Sequence, residues 1–358
     1  MSNIFSVPDW AYANGLPKAD AVLRATPADF RVDEVLPFTL DGAGDHVWLR
    51  LEKTGMNTEF LAKALARFAG VKALDVGYAG LKDRHAVTSQ WFSVLMAGKD
   101  EPDWSLLPAQ FQPGEVRVLE VTRHGRKLKT GALKENRFVL RLTELAGDTG
   151  DLEQRLAQIA AQGVPNYFGP QRFGRDGGNL AGALRLFAGE RIRDSHLRGL
   201  YLSAARSFLF NEVLSGRVAD GSWRELLPGE AVMLDGANSW FLAEAGDPAL
   251  PERLARFDIH PSGPLWGEGE PPTVGQARER ELAMLAGHSS WCQGLAGFGL
   301  RQERRPLRLR PREFHGALTQ GALEVSFALP AGCFATTVLR ELVVFRENPP
   351  ASAGRMPE

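Results

Sequence analysis

The residues with the clearest chemical potential lie in a short glycine-edged segment, GYAGLKDRH, which ends at His85. In this segment Asp83 lies between Lys82 and Arg84, and neighbouring cations favour the ionised form of a carboxylate. An ionised carboxylate in a bend suits a nucleophile or a general base. The alternative interpretation is a turn aspartate with solvated basic neighbours, because aspartate is common in turns. Spacing alone favours the alternative, so a catalytic role needs support from other residues.

Aromatic and amide side chains occur where they could hold a planar ring. Phe334 follows the turn LPAGC and precedes a predicted helix, a place where side chains are often presented outward. Phe30 and Phe138 lie in strand-like segments, so core packing is the alternative for both. Asn136 offers an amide donor and acceptor to a base edge, although an amide there also suits a turn or strand cap. Stacking on an extruded base contributes about 1–3 kcal/mol.

Local basic clusters contrast with a balanced overall charge. The 358 residues include 42 Lys and Arg and 43 Asp and Glu, so the formal net charge is −1. Basic residues nevertheless outnumber acidic ones within 117–134, 172–206 and 301–312. A solvated surface explains any one such cluster, but three of them favour contacts with nucleic-acid phosphates.

Several functional classes are not indicated by the sequence. Cys292 and Cys333 are the only cysteines, which excludes a disulfide scaffold and a thiolate zinc site. The seven histidines show no HxxxH or HExxH spacing, and GxGxxG and GxxxxGK[ST] patterns are absent. No signal-like start and no long apolar run occur. We therefore expect a cytoplasmic protein, monomeric and not bound to membranes, that uses neither a metal nor a small-molecule cofactor.

The elements that must position these residues change in type along the chain. Alternating apolar residues predict strands at 46–53, 76–79, 91–95, 116–121, 138–142 and 323–329. Helical spacing predicts helices at 57–70, 151–163, 275–287 and 335–342. Strands at both ends and a helix-rich, irregular middle predict an α+β domain that is interrupted by an insertion.

Five segments, taken together and in order, resemble the TruD family of tRNA pseudouridine synthases. They are PADFRVDE, GYAGLKDRHAVTSQWF, GALKENRFVLRL, VPNYFGPQRFGRDGGNL and LPAGCFATTVLREL, and they span residues 27–342. The resemblance implies a pseudouridine synthase-type mixed sheet with flanking helices, interrupted by an inserted helix-rich TRUD domain. We predict a discontinuous catalytic domain at 1–161 and 309–345, the insertion at 162–308, and a flexible tail at 346–358.

The same resemblance implies the reaction and its residues. It implies that the chain isomerises uridine to pseudouridine at position 13 of tRNA, in the D arm, without a cofactor and with tRNA as its partner. It implies Asp83 as the catalytic aspartate and Phe30, Asn136 and Phe334 as substrate contacts, with Phe138 close by. Cys333 stands where the family commonly has serine, but Phe334 itself is retained.

Two basic residues, Lys82 and Arg84, flank Asp83 in the sequence. We assign Lys82 to the substrate site, and we expect either Lys82 or Arg84 to hold the carboxylate of Asp83 in its ionised form.

Two other functions stay open at this point. The first is an RNA-binding protein that has the fold without turnover, and the intact GLKDRH segment argues against it. The second is a carboxylate-based hydrolase, which needs a second carboxylate such as Asp33 or Glu34 for acid–base work. The spacing of these residues gives no support for such a pair.

Overall fold

The computed structural model describes residues 5–112 and 114–347. Its strands are β1 Ala19–Leu23, β2 Phe30–Val35, β3 His46–Thr54, β4 Val76–Tyr78, β5 Val87–Leu95, β6 Val116–His124, β7 Glu135–Gly147, β8 Val164–Pro165, β9 Ala231–Leu234, β10 Trp240–Leu242, β11 Ile259–Leu265, β12 Glu303–Pro306, β13 Arg308–Leu309, β14 Arg312–Thr319, β15 Ala322–Pro330 and β16 Val344–Glu347. Its α-helices are α1 Thr58–Phe68, α2 Leu152–Gln162, α3 Gly178–Phe187, α4 Ser195–Ala219, α5 Ala249–Ala255, α6 Gly275–Leu285, α7 Ser289–Gly297 and α8 Ala335–Leu339.

One compact unit, here called the sheet unit, is built around a ten-stranded mixed sheet. It comprises Lys18–Leu152, Pro311–Gly332 and the C-terminal segment from Val343. The strand order is β14-β15-β7-β2-β5-β3-β6, with β1 attached to β7, β16 to β1 and β4 to β5. The pairs β1–β16 and β2–β5 are parallel. A large mixed sheet with helices confirms the predicted α+β class.

The core of the sheet unit follows from the alternation in β3. Val47, Leu49 and Leu51 are fully buried, because alternate side chains of a strand point to the same face of the sheet. Helix α1 packs Leu61 and Leu65 into the same cluster. Each such side chain contributes about 1.5–3 kcal/mol when it is removed from water. This core fixes the start of α1 and the ends of β3 and β5, which flank the Asp83 segment.

The second compact unit, here called the helical unit, contains the long helix α4 and most of the other helices. It comprises the segment up to Pro17, Glu153–Arg310 and Cys333–Leu342. Its main core surrounds Phe208, Phe210 and Leu214 of α4. A four-stranded sheet, β10-β9-β11-β12, and a two-stranded sheet, β13-β8, complete it. Within the described ranges, no helix combines the length and the apolarity that crossing a membrane requires.

The compact units and the predicted domains have different boundaries. The segment up to Pro17 and Cys333–Leu342 belong to the helical unit, whereas the sequence placed both in the catalytic domain. Arg346 and Glu347, the first residues of the predicted tail, belong to β16; residues 348–358 lie outside the described residues. The assignment of a catalytic domain and an inserted TRUD domain stays a prediction.

Candidate active site

Asp83 lies in the bend between β4 and β5, and its carboxylate is held by two contacts. Its Oδ1 accepts a hydrogen bond of 3.0 Å from the backbone N–H of His85. Its Oδ2 lies 2.6 Å from Nη2 of Arg24. The side chain is 28% exposed, so another molecule can still reach the carboxylate. This combination of fixed orientation and access suits a catalytic group.

Arg24 holds Asp83 from an unusual backbone conformation. It directly follows β1 and has a φ of 60°, which L-residues other than glycine seldom adopt. Its guanidinium carbon lies 4.0 Å from the centre of the Phe30 ring, and its Nη1 lies 3.0 Å from Oε1 of Glu347. Three contacts therefore fix one side chain that is only 10% exposed.

The expected pairing of Asp83 with its sequence neighbours is wrong. Nζ of Lys82 lies 2.8 Å from Oε2 of Glu34, in a pair whose side chains are 7% and 0% exposed. Nε of Arg84 donates to the carbonyl of Gly55 at 3.0 Å. Neighbouring side chains in an extended loop point in different directions, so proximity in sequence does not place these cations beside the carboxylate. Arg24 takes that place.

A buried lysine anchors the backbone of the same bend. Nζ of Lys53 donates to the carbonyl of Asp83 at 3.0 Å and to that of Met56 at 2.7 Å. Burial lowers the pKa of Lys53 to about 8, while Asp83 raises this pKa and Lys82 lowers it. The N–H of Lys82 donates to Oγ1 of Thr58 at the start of α1. The core beneath α1 thereby positions the segment that carries Asp83.

Phe30, Phe138 and Asn136 lie on one face of the sheet. Phe30 begins β2, and its ring meets that of Phe138 edge to face, with the centroids 6.2 Å apart. Asn136 pairs in register with Glu34, whose carboxylate binds Lys82. The Oδ1 atom of Asn136 is inaccessible to solvent and has no hydrogen-bond partner among the described residues. Such an oxygen can accept a hydrogen bond from a bound ligand.

Phe334 belongs to the helical unit. It is the N-cap residue of α8, and its ring centre lies 6.3 Å from that of Phe168. The guanidinium carbon of Arg172 lies 5.9 Å from the same ring, and that of Arg305 lies 4.1 Å from the ring of Phe168. That Phe334 and Asp83 contact the same uridine stays a prediction.

Part of the arginine-rich segment 301–312 is turned inward, although Arg301 and Arg310 are exposed. Arg304 and Arg308 are only 7% and 6% exposed. Arg304 forms an ion pair with Glu281, and Nη2 of Arg308 donates to the carbonyl of Leu254. Their alternation in strands β12 and β13 directs them inward, which a count of charges does not reveal.

Sequence reasoning missed Arg24 and Lys53. Neither lies in a basic cluster, and both act through contacts with residues distant in sequence. The positive φ of Arg24 has no signal in the sequence, because arginine carries no preference for it. The one sign available in the sequence was the alternation of β3, which places Lys53 on the same face as the apolar residues Val47, Leu49 and Leu51.

Comparison with known proteins gives consistent results. The family model described as "tRNA pseudouridine synthase D (TruD)" matches residues 9–182 and 176–342. The tRNA pseudouridine synthase D of Nitrosococcus oceani is 52% identical over 340 residues, which is 94% of each chain. That of Methylococcus capsulatus is 51% identical over 347 residues, covering 94% of this chain and 97% of the relative.

A solved structure has the same fold. The crystal structure of a putative tRNA pseudouridine synthase D from Methanosarcina mazei aligns with a TM-score of 0.71 and 20% identity. The alignment covers 93% of this chain and 95% of the other.

Proposed function

Because this chain belongs to the TruD family of tRNA pseudouridine synthases, we propose that it isomerises uridine to pseudouridine at position 13, in the D arm of tRNA. The observation that carries this proposal is the carboxylate of Asp83, partly exposed and held at 2.6 Å by Arg24. Arg24 itself is fixed against Phe30, so the acid is positioned before any substrate arrives. Preorganisation of this kind lowers the cost of reaching the transition state.

The reaction rearranges bonds within one nucleotide. The bond between N1 and C1′ breaks, the uracil turns, and a bond forms between C5 and C1′. The proton on C5 is lost and N1 gains a proton, so atoms and charge balance without a co-reactant. Asp83 begins this sequence, either as a nucleophile at C1′ or C6 or as the base that removes a sugar proton.

The remaining side chains hold the extruded base. A flipped uridine needs stacking partners and a polar contact to its edge. We assign the stacking to Phe334 and Phe30, with Phe138 behind Phe30, and the edge contact to Asn136. The unpartnered Oδ1 of Asn136 can accept the N3–H of uracil. Phe30 is only 4% exposed and Arg24 covers one of its faces, so stacking on Phe30 requires that Arg24 or a neighbouring side chain moves when the uracil binds.

The role proposed for Lys82 differs from that of the stacking residues. Its ammonium is bound to Glu34, and its backbone N–H is bound to Thr58. We therefore propose that Lys82 contributes to the substrate site chiefly by fixing the bend that carries Asp83.

The proposal also covers partners and cellular setting. We propose that the chain acts on tRNA as a monomer and without a metal or small-molecule cofactor, because the rearrangement consumes nothing besides uridine. We place it in the cytoplasm, where cysteines stay reduced; Cys292 and Cys333 are both free.

Substitution of Asp83 tests the catalytic assignment. Asp83→Asn keeps the size of the side chain and removes its charge. We expect tRNA affinity to change less than threefold, and pseudouridine formation to fall by at least about 10⁴-fold (~5.5 kcal/mol). Pseudouridine is mapped by carbodiimide treatment and reverse transcription of an unmodified tRNA transcript. Glu59→Gln, on the exposed side of α1, is the matched control. Appreciable turnover by Asp83→Asn would refute the assignment.

A further inference from the structure

A cavity with features suited to a nucleotide lies in the sheet unit, and Asp83 is not among its lining residues. Its volume is about 780 Å³, within the range of about 300–1,000 Å³ that is typical of small-molecule sites. Its lining includes His46, at the start of β3. Thr54, at the other end of β3, pairs with Val87, which follows the Asp83 bend. At about 3.3 Å per residue, these two ends of β3 lie roughly 26 Å apart.

A fixed aromatic ring borders this cavity. Phe38 is 41% exposed, although its ring stacks on that of His124 with the centroids 5.4 Å apart and the planes at 16°. Trp48 meets the same ring edge to face at 5.9 Å. Nδ1 of His124 lies 2.6 Å from Oδ2 of Asp41, which fixes the imidazole beneath Phe38. An exposed ring held in this way is a platform on which a base can stack.

Cations surround the ring. Arg126, Lys127 and Lys129 line the cavity and are exposed. Within the described residues, none of the three has a carboxylate within ion-pair distance. The acidic residue of the lining, Asp41, is bound to His124. The cavity therefore carries a positive charge that is available to a phosphate.

We propose that this cavity, here called the Phe38 pocket, binds a second nucleotide of the substrate tRNA. The base stacks on Phe38, and its phosphates are bound by Arg126 and Lys129. The inference rests on the proposed function for the identity of the RNA, because aromatic stacking and phosphate binding by themselves specify only a nucleotide. Such a contact anchors the tRNA outside the site of the reacting uridine and contributes to selection of the RNA by shape.

Two substitutions in the full chain test the pocket. Phe38→Leu keeps an apolar side chain against Trp48 and removes the aromatic face. We expect it to raise the Kd for an unmodified tRNA transcript about 10-fold. Lys129→Ala removes an exposed charge, and we expect the plot of log affinity against log salt to become less steep by about 0.7–0.9.

Matched controls separate these effects from general changes. Phe298→Leu replaces a phenylalanine of similar exposure, 40%, and Lys63→Ala replaces an exposed lysine of α1; both should leave the Kd and the salt slope unchanged. Thermal unfolding confirms that each variant is folded. Because Lys129 is exposed, Lys129→Ala remains informative even if Phe38→Leu proves unstable.

The outcomes distinguish this inference from the proposed function. If the unaltered chain isomerises tRNA and both variants bind it as the controls do, the Phe38 pocket is refuted while the function stands. If both variants weaken binding but the unaltered chain forms no pseudouridine, the pocket is supported and the function fails. If the two variants bind free uridine monophosphate more weakly than the unaltered chain does, but bind tRNA equally well, the pocket is a site for a free nucleotide and the inference is overturned.

Discussion

At the scale of single residues, Arg24 is the ionic partner of Asp83 in the proposed active site. The arginine joins a carboxylate, an aromatic ring and the C-terminal strand through three separate contacts. Its left-handed backbone conformation costs about 1–2 kcal/mol. Strain that the surrounding structure maintains is often found at functional positions. The aspartate was predictable from its motif, but its ionic partner became visible only in three dimensions.

Replacement of Arg24 should impair turnover more than binding. Arg24→Met retains the length of the side chain but removes the ion pair, so Asp83 loses its fixed orientation. We expect kcat to fall about 100-fold, with a change of less than threefold in KM. Arg24→Lys should restore part of the loss, because an ammonium still pairs with a carboxylate but does not stack as a guanidinium does.

The control for this experiment is Arg31→Met. Arg31 is an exposed arginine of β2 that pairs with Glu52. Steady-state rates equal to those of the unaltered chain for Arg24→Met would contradict the role given to Arg24.

Lys53 should make stability depend on pH in a definite direction. Burial lowers its pKa in the folded chain to about 8, from an ordinary value of 10.5. Between these values the unfolded chain binds more protons than the folded chain, so the contribution of Lys53 to the free energy of unfolding rises with pH. Below pH 8 the amine is charged in both states and the rise has not begun.

Urea unfolding of the unaltered chain and of Lys53→Met at pH 7 and pH 9.5 measures this effect. The free energy of unfolding of the unaltered chain should increase relative to that of Lys53→Met at the higher pH. Lys63→Met, on the exposed side of α1, should show no such change. If the free energies of unfolding of Lys53→Met and the unaltered chain differ by the same amount at both pH values, a lowered pKa of Lys53 is excluded.

At the scale of elements, a buried ion pair joins strand β12 to helix α6. Arg304 and Glu281 are each 1% exposed in their side chains and contact one another at 2.5 Å. Oγ1 of Thr273 donates to the same carboxylate at 3.0 Å. Arg304 also donates to Ser262 of β11. The pair therefore fixes a helix to the four-stranded sheet of the helical unit.

Removal of one charge from this pair should be costly. Glu281→Gln leaves the guanidinium of Arg304 buried without its counter-ion, which we expect to lower the free energy of unfolding by about 3–5 kcal/mol. Glu252→Gln disrupts the exposed pair with Arg256 and should cost less than about 1 kcal/mol. Chemical denaturation compares the two variants; equal effects would show that burial does not determine the cost.

Each strand and helix predicted from the sequence occurs in the described structure, but several others, such as β1 and β2, were not predicted, and the failures have a physical pattern. Strand β3 and helix α1 agree closely with the predicted 46–53 and 57–70, since apolar periodicity marks both. Strand β5 begins at Val87 instead of 91. Its first residues include Thr88, Ser89 and Gln90, which are buried and polar, and the side chains of Ser89 and Gln90 form hydrogen bonds inside the unit. Gln90, for example, is bound to Gly80 and Thr58. Alternation of apolar residues cannot detect such a strand.

At the scale of the whole molecule, the near-zero net charge conceals two different uses of arginine and lysine. Within 301–312, Arg304 forms an internal ion pair and Arg308 contacts a backbone carbonyl, whereas Arg301 and Arg310 are exposed. Within 117–134, several cations are exposed. The motifs predicted the family, and the catalytic role that they imply for Asp83 stays a prediction. Which basic residues face solvent depends on strand register and could not be read from a count of charges. The division into a catalytic and an inserted domain stays a prediction.

The contact between Arg24 and Glu347 has a consequence for the order in which the active site can be assembled during synthesis. Asp83 and Arg24 leave the ribosome early, whereas the strand that carries Glu347 and lies beside β1 is translated more than three hundred residues after Arg24. A nascent chain that ends before this strand holds its arginine by fewer restraints. The complete set of contacts that holds Arg24 beside Asp83 therefore forms only after β16, the strand that carries Glu347, has been translated and has paired with β1.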